Sequence, residues 1–338
     1  MDTTDTQQTT IASEAFTEDF RDRPPWWGGD LQTLRNIFVP PATDLGTSER
    51  LEFDTGDGSG DKLVGALNMP SGSPTGPLIL LIHGLTGDQD SAYMRSTAQF
   101  HLARGRRVLR LNLRGAGPSC SVAKGTYYGG CVDDIRAVLK GLPQPLSSQG
   151  VFAIGYSLGG NILINVLGQS WAADMFIGAT TVSAPLVPAD AARELMKPRN
   201  KLYHQNLLRK MRSHFLQARV SLSPEQKSAI EAAKSVYELD NLFTAPRNGY
   251  RDADDYYSQT AGTNFVHSLA APTLLLHARN DPWIPVAPYE SLQAANPANA
   301  NVVITKSGGH VGFHERGFSE PRYDRVAEAF LSQLTTRD

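Results

Sequence analysis

Val151-Phe-Ala-Ile-Gly-Tyr-Ser-Leu-Gly-Gly-Asn161 is the stretch that decides the fold. Four apolar residues, Val151 to Ile154, read as a buried strand, and an apolar helical pattern follows from Gly159 to Leu167. Between them lies G-x-S-x-G, as Gly155-Tyr156-Ser157-Leu158-Gly159. Where a strand turns sharply into a helix, the central residue takes a strained backbone and its side chain is presented outward. Glycines on either side lack the Cβ atoms that would collide in so tight a turn. The helix start leaves backbone N–H groups unpaired beneath the serine, suited to a developing negative charge. Ser157 is therefore the candidate nucleophile.

Working outward, the same strand-then-helix rhythm recurs. "LILLI" (78–82) is continuously apolar, as a strand buried on both faces should be. A helix from about Ser91 to Ala103, the strand "RVLRLNL" and a helix over Val132–Leu142 precede the elbow. "GATTVS" follows it as a strand. Late in the chain come "TLLLHA", a helix from about Ala287 to Ala294, "NVVIT" and a closing helix from Tyr323 to Leu334. Earlier, "RLEFDT" and "KLVGALNM" alternate apolar and polar residues around the turn-former GDGSGD, which predicts an antiparallel hairpin. This alternation predicts an α/β fold, a mostly parallel twisted sheet flanked by helices.

Between Ala184 and about Tyr257 the rhythm breaks into helical, basic sequence. From Leu186 to Tyr250 there are 11 Lys/Arg against 6 Asp/Glu, read chiefly as solvated helix faces. The predicted division is a flexible tail over 1–23, a first core part over 24–185, an inserted helical cap over 186–257 and a second core part over 258–338. Leu207, Leu208, Met211, Phe215 and Leu216 recur at helical spacing, and could form an inner wall of the cap or simply hold it to the body.

The 338 residues carry 41% hydrophobic and 20% charged residues and a formal net charge of −2. That balance indicates a globular protein with a real core and gives no reason to expect nucleic acid as a partner. No apolar run approaches the roughly 18 residues of a membrane span. The polar, acidic N-terminus lacks a secretory pattern, which predicts a cytoplasmic protein. Cys120 and Cys131 lie in one loop-like stretch where a local disulfide is conceivable, but without a secretory pattern reduced thiols are the expectation, and two cysteines without a clustered histidine make no zinc site.

A serine hydroxyl needs a base. Among eight histidines, His310 stands out in "SGGHVGF", a glycine loop after the last predicted strand. His314 is its one close competitor. His83 ends a strand in "HGLTG", a sequence suited to a different role; His277 reads as core, and His101, His204 and His214 fall in helical patterns. The base needs a carboxylate to fix its tautomer, and "TLLLHARNDPW" places Asp281 just past a buried strand. Ser157, Asp281 and His310 each sit at a strand's carboxyl end, in the chain order this architecture requires. An oxyanion needs two donors. The N–H of Leu158 is one candidate; from the loop 83–87 the N–H of Leu85 is the first choice and that of Thr86 the second. Arg114, in "NLRGAGPS", is assigned a structural role in anchoring loops.

Together these residues resemble the α/β-hydrolase superfamily. Within it, PPWWGGDLQTL and VSAPL, with IHGLTG, NLRGAGPS, GYSLGGN, APTLLLHARNDPWIP and SGGHVGF, resemble the YheT-like branch, the AB hydrolase 4 family. The similarity spreads from about Pro24 to His314. The chain departs from that pattern at Asp30, where histidine is expected before LQTL, and at Asn112, where related hydrolases have aspartate. The resemblance implies carboxylic ester hydrolysis, with some members acting on lipids or transferring acyl groups to alcohols. The expectation is a serine carboxylesterase without metal or organic cofactor, acting on a small-molecule or lipid-like ester. Acyl transfer to an alcohol and lipase or thioesterase activity are alternatives that use the same triad.

Overall fold

The computed structural model describes residues 20–39, 44–217 and 219–336. Eight strands form one sheet in the order β1-β2-β4-β3-β5-β6-β7-β8. They are β1 (Ser48–Asp54), β2 (Lys62–Asn68), β3 (Leu78–Ile82), β4 (Val108–Asn112), β5 (Val151–Tyr156), β6 (Phe176–Val182), β7 (Thr273–Ala278) and β8 (Ala300–Thr305). The hairpin β1–β2 is antiparallel, and β2 meets β4 antiparallel. From β4 to β8 every pairing is parallel. The parallel strands need helical crossovers, and those helices cover both faces. That is why β3, β4, β5 and β7 are buried at every position.

The two faces carry separate cores. Leu80, Ile82, Leu109, Ala153, Ile162 and Ile135 belong to one. Ile79, Leu81, Phe152, Ile154, Leu276 and Phe330 belong to the other. The period-2 alternation of strand side chains sends neighbours such as Ile79 and Leu80 to opposite layers.

β6 ends at Val182 and β7 begins at Thr273, and the chain between them is helical. Pro188–Leu195, Lys201–Phe215, Pro224–Ala232 and Ala253–Gln259 are the longer helices. The capping box Ser223/Gln226 starts the third of these. Part of this segment has a small core of its own, Leu208, Met211, Phe215, Ile230, Val236, Leu239 and Phe243.

The predicted tail needs revision at its end. Residues 1–19 lie outside the described residues, but Phe20 is buried against Phe313, and Asp22 forms a β-bridge with Glu315. The PPWWGGDLQTL stretch is also more than an edge wrap, because Gly28–Phe38 is a helix. Cys120 and Cys131 are free thiols. No helix among the described residues is long and apolar enough to cross a membrane.

Arg114 is a loop anchor, as the sequence suggests. Its guanidinium pairs with Asp134, with Asp57 at 2.8 Å and with Asp61 at 3.3 Å. Asp61 in turn accepts the N–H groups of Lys124 and Gly125. Burial pushes the Asp134 pKa up, against the pull of Arg114, so removing the arginine strands a buried acid. Arg114→Ala is expected to lower stability by about 3 kcal/mol, measured as a fall in urea midpoint at unchanged slope.

Candidate active site

Ser157 stands between β5 and the helix Leu158–Leu167, with φ 50° and ψ −121°. Its N–H donates to Val182 O at 2.8 Å, tying the turn to β6. The glycines explain how the turn closes. A Cβ on Gly155 would lie 2.6 Å from Gly159 O, and one on Gly159 would strike the carbonyl oxygens of Ile82 and His83. Positive φ also recurs at Thr86, Ser183, Val311 and Phe313 around the same strand ends. Strain concentrated in this way is a mark of functional sites.

The side chains of Ser157, His310 and Asp281 meet. His310 Nε2 lies 2.9 Å from Ser157 Oγ, and His310 Nδ1 lies 2.9 Å from Asp281 Oδ2. Asp281 Oδ1 accepts the N–H groups of Trp283 at 2.8 Å and Ile284 at 3.0 Å. Burial favours the neutral acid, but the facing His310 and the hydrogen bonds outweigh it, so the Asp281 pKa lies below its ordinary value. The Trp283 ring packs on His310 with centroids 4.3 Å apart.

The histidine loop is braced from the far end of the sequence. His310 N–H donates to Thr33 Oγ1 at 2.8 Å, and Gly309 N–H donates to Asn280 Oδ1 at 3.0 Å. Gln32 is fully buried; its Nε2 donates to His314 O, and its Oε1 accepts His314 N–H. Gly29 is required here, since a Cβ on it would collide with Asn280 O. Sequence reading missed Gln32, Thr33 and Trp283, although the first two lie in the LQTL stretch it singled out.

The other histidines are placed elsewhere. His314 Nε2 faces Asn36 Oδ1 at 3.0 Å, and burial pushes its pKa down to about 3. His83 accepts Leu113 N–H on Nε2 and bonds Gly84 O through Nδ1; burial brings it to about 4. It is a neutral clasp between the ends of β3 and β4. His277 stacks on Tyr289 within the core.

Leu158 opens its helix, so its N–H has no partner in the helical ladder. Thr86 N–H is engaged by Tyr127 Oη at 2.7 Å, which removes the second choice for a donor from the loop 83–87. Leu85 and Leu158 both line the cavity above Ser157. Asn112, where aspartate was expected, accepts Gln89 N–H and donates to Val64 O. Asp30, where histidine was expected, lines the same cavity and holds Arg199 at 3.0 Å and the Tyr203 hydroxyl at 3.1 Å. The cavity has a volume of about 750 Å³, and Leu207, Met211 and Phe215 contribute to its wall. Leu208 instead packs inside the helical segment.

The profile of the alpha/beta hydrolase fold matches residues 77–317. The chain belongs to the α/β-hydrolase family. It is 29% identical over 243 residues to YheT of Escherichia coli K12, covering 70% of each chain. It is 28% identical over 348 residues to the phospholipase ABHD3 of Mus musculus, covering 97% of this chain and 84% of that one. With the monoacylglycerol lipase of Saccharomyces cerevisiae it shares 27% identity over 278 residues, 77% of this chain and 61% of that one. Among solved structures, the Pyrococcus furiosus esterase Pf2001 superposes with a TM-score of 0.59 at 19% identity, covering 93% of this chain and 98% of that one. Family and relatives together support a hydrolase with a YheT-like relationship.

The two histidines of the loop separate cleanly in this geometry. His310→Ala is expected to lower ester turnover by about three or more orders of magnitude. His314→Ala should lose far less, and a kcat comparison of the two purified variants measures the difference.

Proposed function

We propose that this hydrolase is a serine carboxylesterase acting on lipid-like or small-molecule carboxylic esters. The observation that carries the proposal is the unbroken chain Ser157 Oγ–His310–Asp281, with both contacts at 2.9 Å. Ser157 Oγ attacks the ester carbonyl carbon while His310 Nε2 takes the hydroxyl proton. The tetrahedral oxyanion accepts hydrogen bonds from the N–H groups of Leu85 and Leu158. Collapse breaks the bond to the alcohol oxygen, which leaves with the proton from His310. Water then attacks the acyl-enzyme, giving its proton to His310, which returns it to Ser157 Oγ as the acid departs. Asp281 keeps the Nδ1–H tautomer in place and stabilises the imidazolium. No step calls for a metal or organic cofactor.

Two features support a lipid-like substrate. The cavity wall beside Ser157 includes Leu85, Leu158, Leu195, Leu207, Met211 and Phe215, and the relatives named above include a phospholipase and a monoacylglycerol lipase. The segment 186–257 acts in this reading as a cap over the site, with Met211 and Phe215 both packing inside it and facing the cavity.

Ser157→Ala should abolish hydrolysis of an ester panel and labelling by a fluorophosphonate probe while leaving the melting temperature near that of the parent. Persistent labelling would place the nucleophile elsewhere. Adding an alcohol to the same assay and comparing transfer product with free acid separates hydrolysis from acyl transfer.

Substituting Met211 and Phe215 one at a time by alanine should change the ratio of kcat/KM between short and long acyl esters by about 10-fold. A flat ratio with a lowered melting temperature would reduce both residues to packing.

A further inference from the structure

One acidic group of the cavity has no part in that chemistry. Asp240 begins the π-helical turn Asp240–Thr244 of the inserted segment, the kind of local widening that recurs at functional sites. It lines the cavity that contains Ser157, yet it is only 7% exposed. Its Oδ2 accepts the Tyr257 hydroxyl at 2.6 Å. No arginine, lysine or histidine among the described residues pairs with it. Burial pushes its pKa up to about 6, against the pull of the Tyr257 and Thr244 hydroxyls. An uncompensated buried carboxylate is costly unless further donors reach it.

A second acceptor opens on the same cavity. Asn161 is fully buried and lines it. Its Nδ2 donates to Thr260 O at 2.8 Å, which leaves its Oδ1 buried without a partner. Both residues adjoin the helix Ala253–Gln259, Asp240 through Tyr257 and Asn161 through the residue that follows the helix. A wall with acceptors in excess selects for a ligand that brings donors.

The sheet order says which part of an ester reaches this wall. Asp281 and His310 follow β7 and β8, on one side of β5. The leaving alcohol must depart on that side, because His310 protonates it. Tyr256, beside Tyr257, instead accepts the N–H of Gly129 at 2.8 Å, in the loop after β4 on the other side of β5. That side is the one left for the acyl chain once the alcohol departs toward His310.

We infer that Asp240 is a specificity-determining residue, a subsite for a hydrogen-bond donor carried on the acyl chain. The preferred substrate is then an ester of a hydroxylated or aminated acid rather than of a plain aliphatic one. The inference rests on the esterase reading of Ser157.

The test is a series of p-nitrophenyl esters of increasing acyl length, each with a plain, ω-hydroxyl or ω-amino end. In the parent, one length should show kcat/KM at least about 10-fold higher for a donor-bearing ester than for its plain counterpart. Replacing both partners of the hydrogen bond, Asp240→Leu with Tyr257→Phe, avoids stranding the Tyr257 hydroxyl and should erase that preference. Asp240→Asn keeps an acceptor but no charge, so it should retain a hydroxyl preference and lose an amino one. Fluorophosphonate labelling of Ser157 checks that each variant is folded at the site. Should the double variant fail that check, the hydroxyl-to-amino ratio of Asp240→Asn decides, and an unchanged ratio overturns the inference. No preference at any length in the parent, or an unchanged preference in the double variant, also overturns it. Preference only when the donor sits on the alcohol part overturns the acyl placement. A parent that hydrolyses none of the esters and takes up no probe would instead refute the esterase reading itself.

Discussion

The backbone of Ser157, held at φ 50° and ψ −121°, is the constraint on which the site depends. A non-glycine residue in such a conformation costs about 1–3 kcal/mol and persists only where its surroundings over-determine it. Here they do. Ser157 N–H is bound to β6, and β5 is paired to both β3 and β6. Gly159 lets the following helix press against the carbonyls at the end of β3. Gly160 packs on Ala184 and Thr181 of the neighbouring strand end. A central position in a parallel sheet supplies the stiffness, and the strain is spent on projecting Oγ away from the sheet into the cavity.

The second constraint is the loop 307–314, which must aim His310 at Ser157 without a regular element to hold it. Asp22 accepts the Ser307 hydroxyl at 2.6 Å and also receives Gly28 N–H and Gln32 Nε2. Gln32 and Thr33 then bind the loop backbone at His314 and His310. The N-terminal helix thus works as a splint for a loop nearly 280 residues later. This gives the PPWWGGDLQTL stretch a physical purpose, since Gly29 admits the loop of Asn280 and Gln32 fills the space beneath His314.

Electrostatics divides the histidines by environment. His83, His277 and His314 are enclosed without a carboxylate partner in hydrogen-bond reach, and burial drives each well below the usual imidazole range. Asp281 faces Nδ1 of His310, and that carboxylate is itself kept charged by His310 and by two backbone N–H groups. A cation forming on His310 therefore meets a fixed negative charge, whereas one on His314 would meet Arg35 and Arg23.

The sequence by itself determined the alternation of buried strands and helices, because burial on both faces of a parallel sheet demands continuous apolar runs. It also determined the elbow and the positions of Asp281 and His310, because each follows such a run. Strand ends set which residues share an edge of the sheet, so these features are local in the chain. The sequence favoured His310 over His314, and the tertiary structure supplied the reason by turning His310 to Ser157 and His314 to Asn36. The two are four residues apart in one irregular loop, and their directions are set by contacts with Gln32, Thr33 and Asn36. The tertiary structure alone brought Phe20 from a tail into the core and paired Asp22 with Glu315, and gave Asp240 its place in the cavity wall. No periodicity records such contacts, because they join segments far apart in the chain through single hydrogen bonds and side-chain volumes.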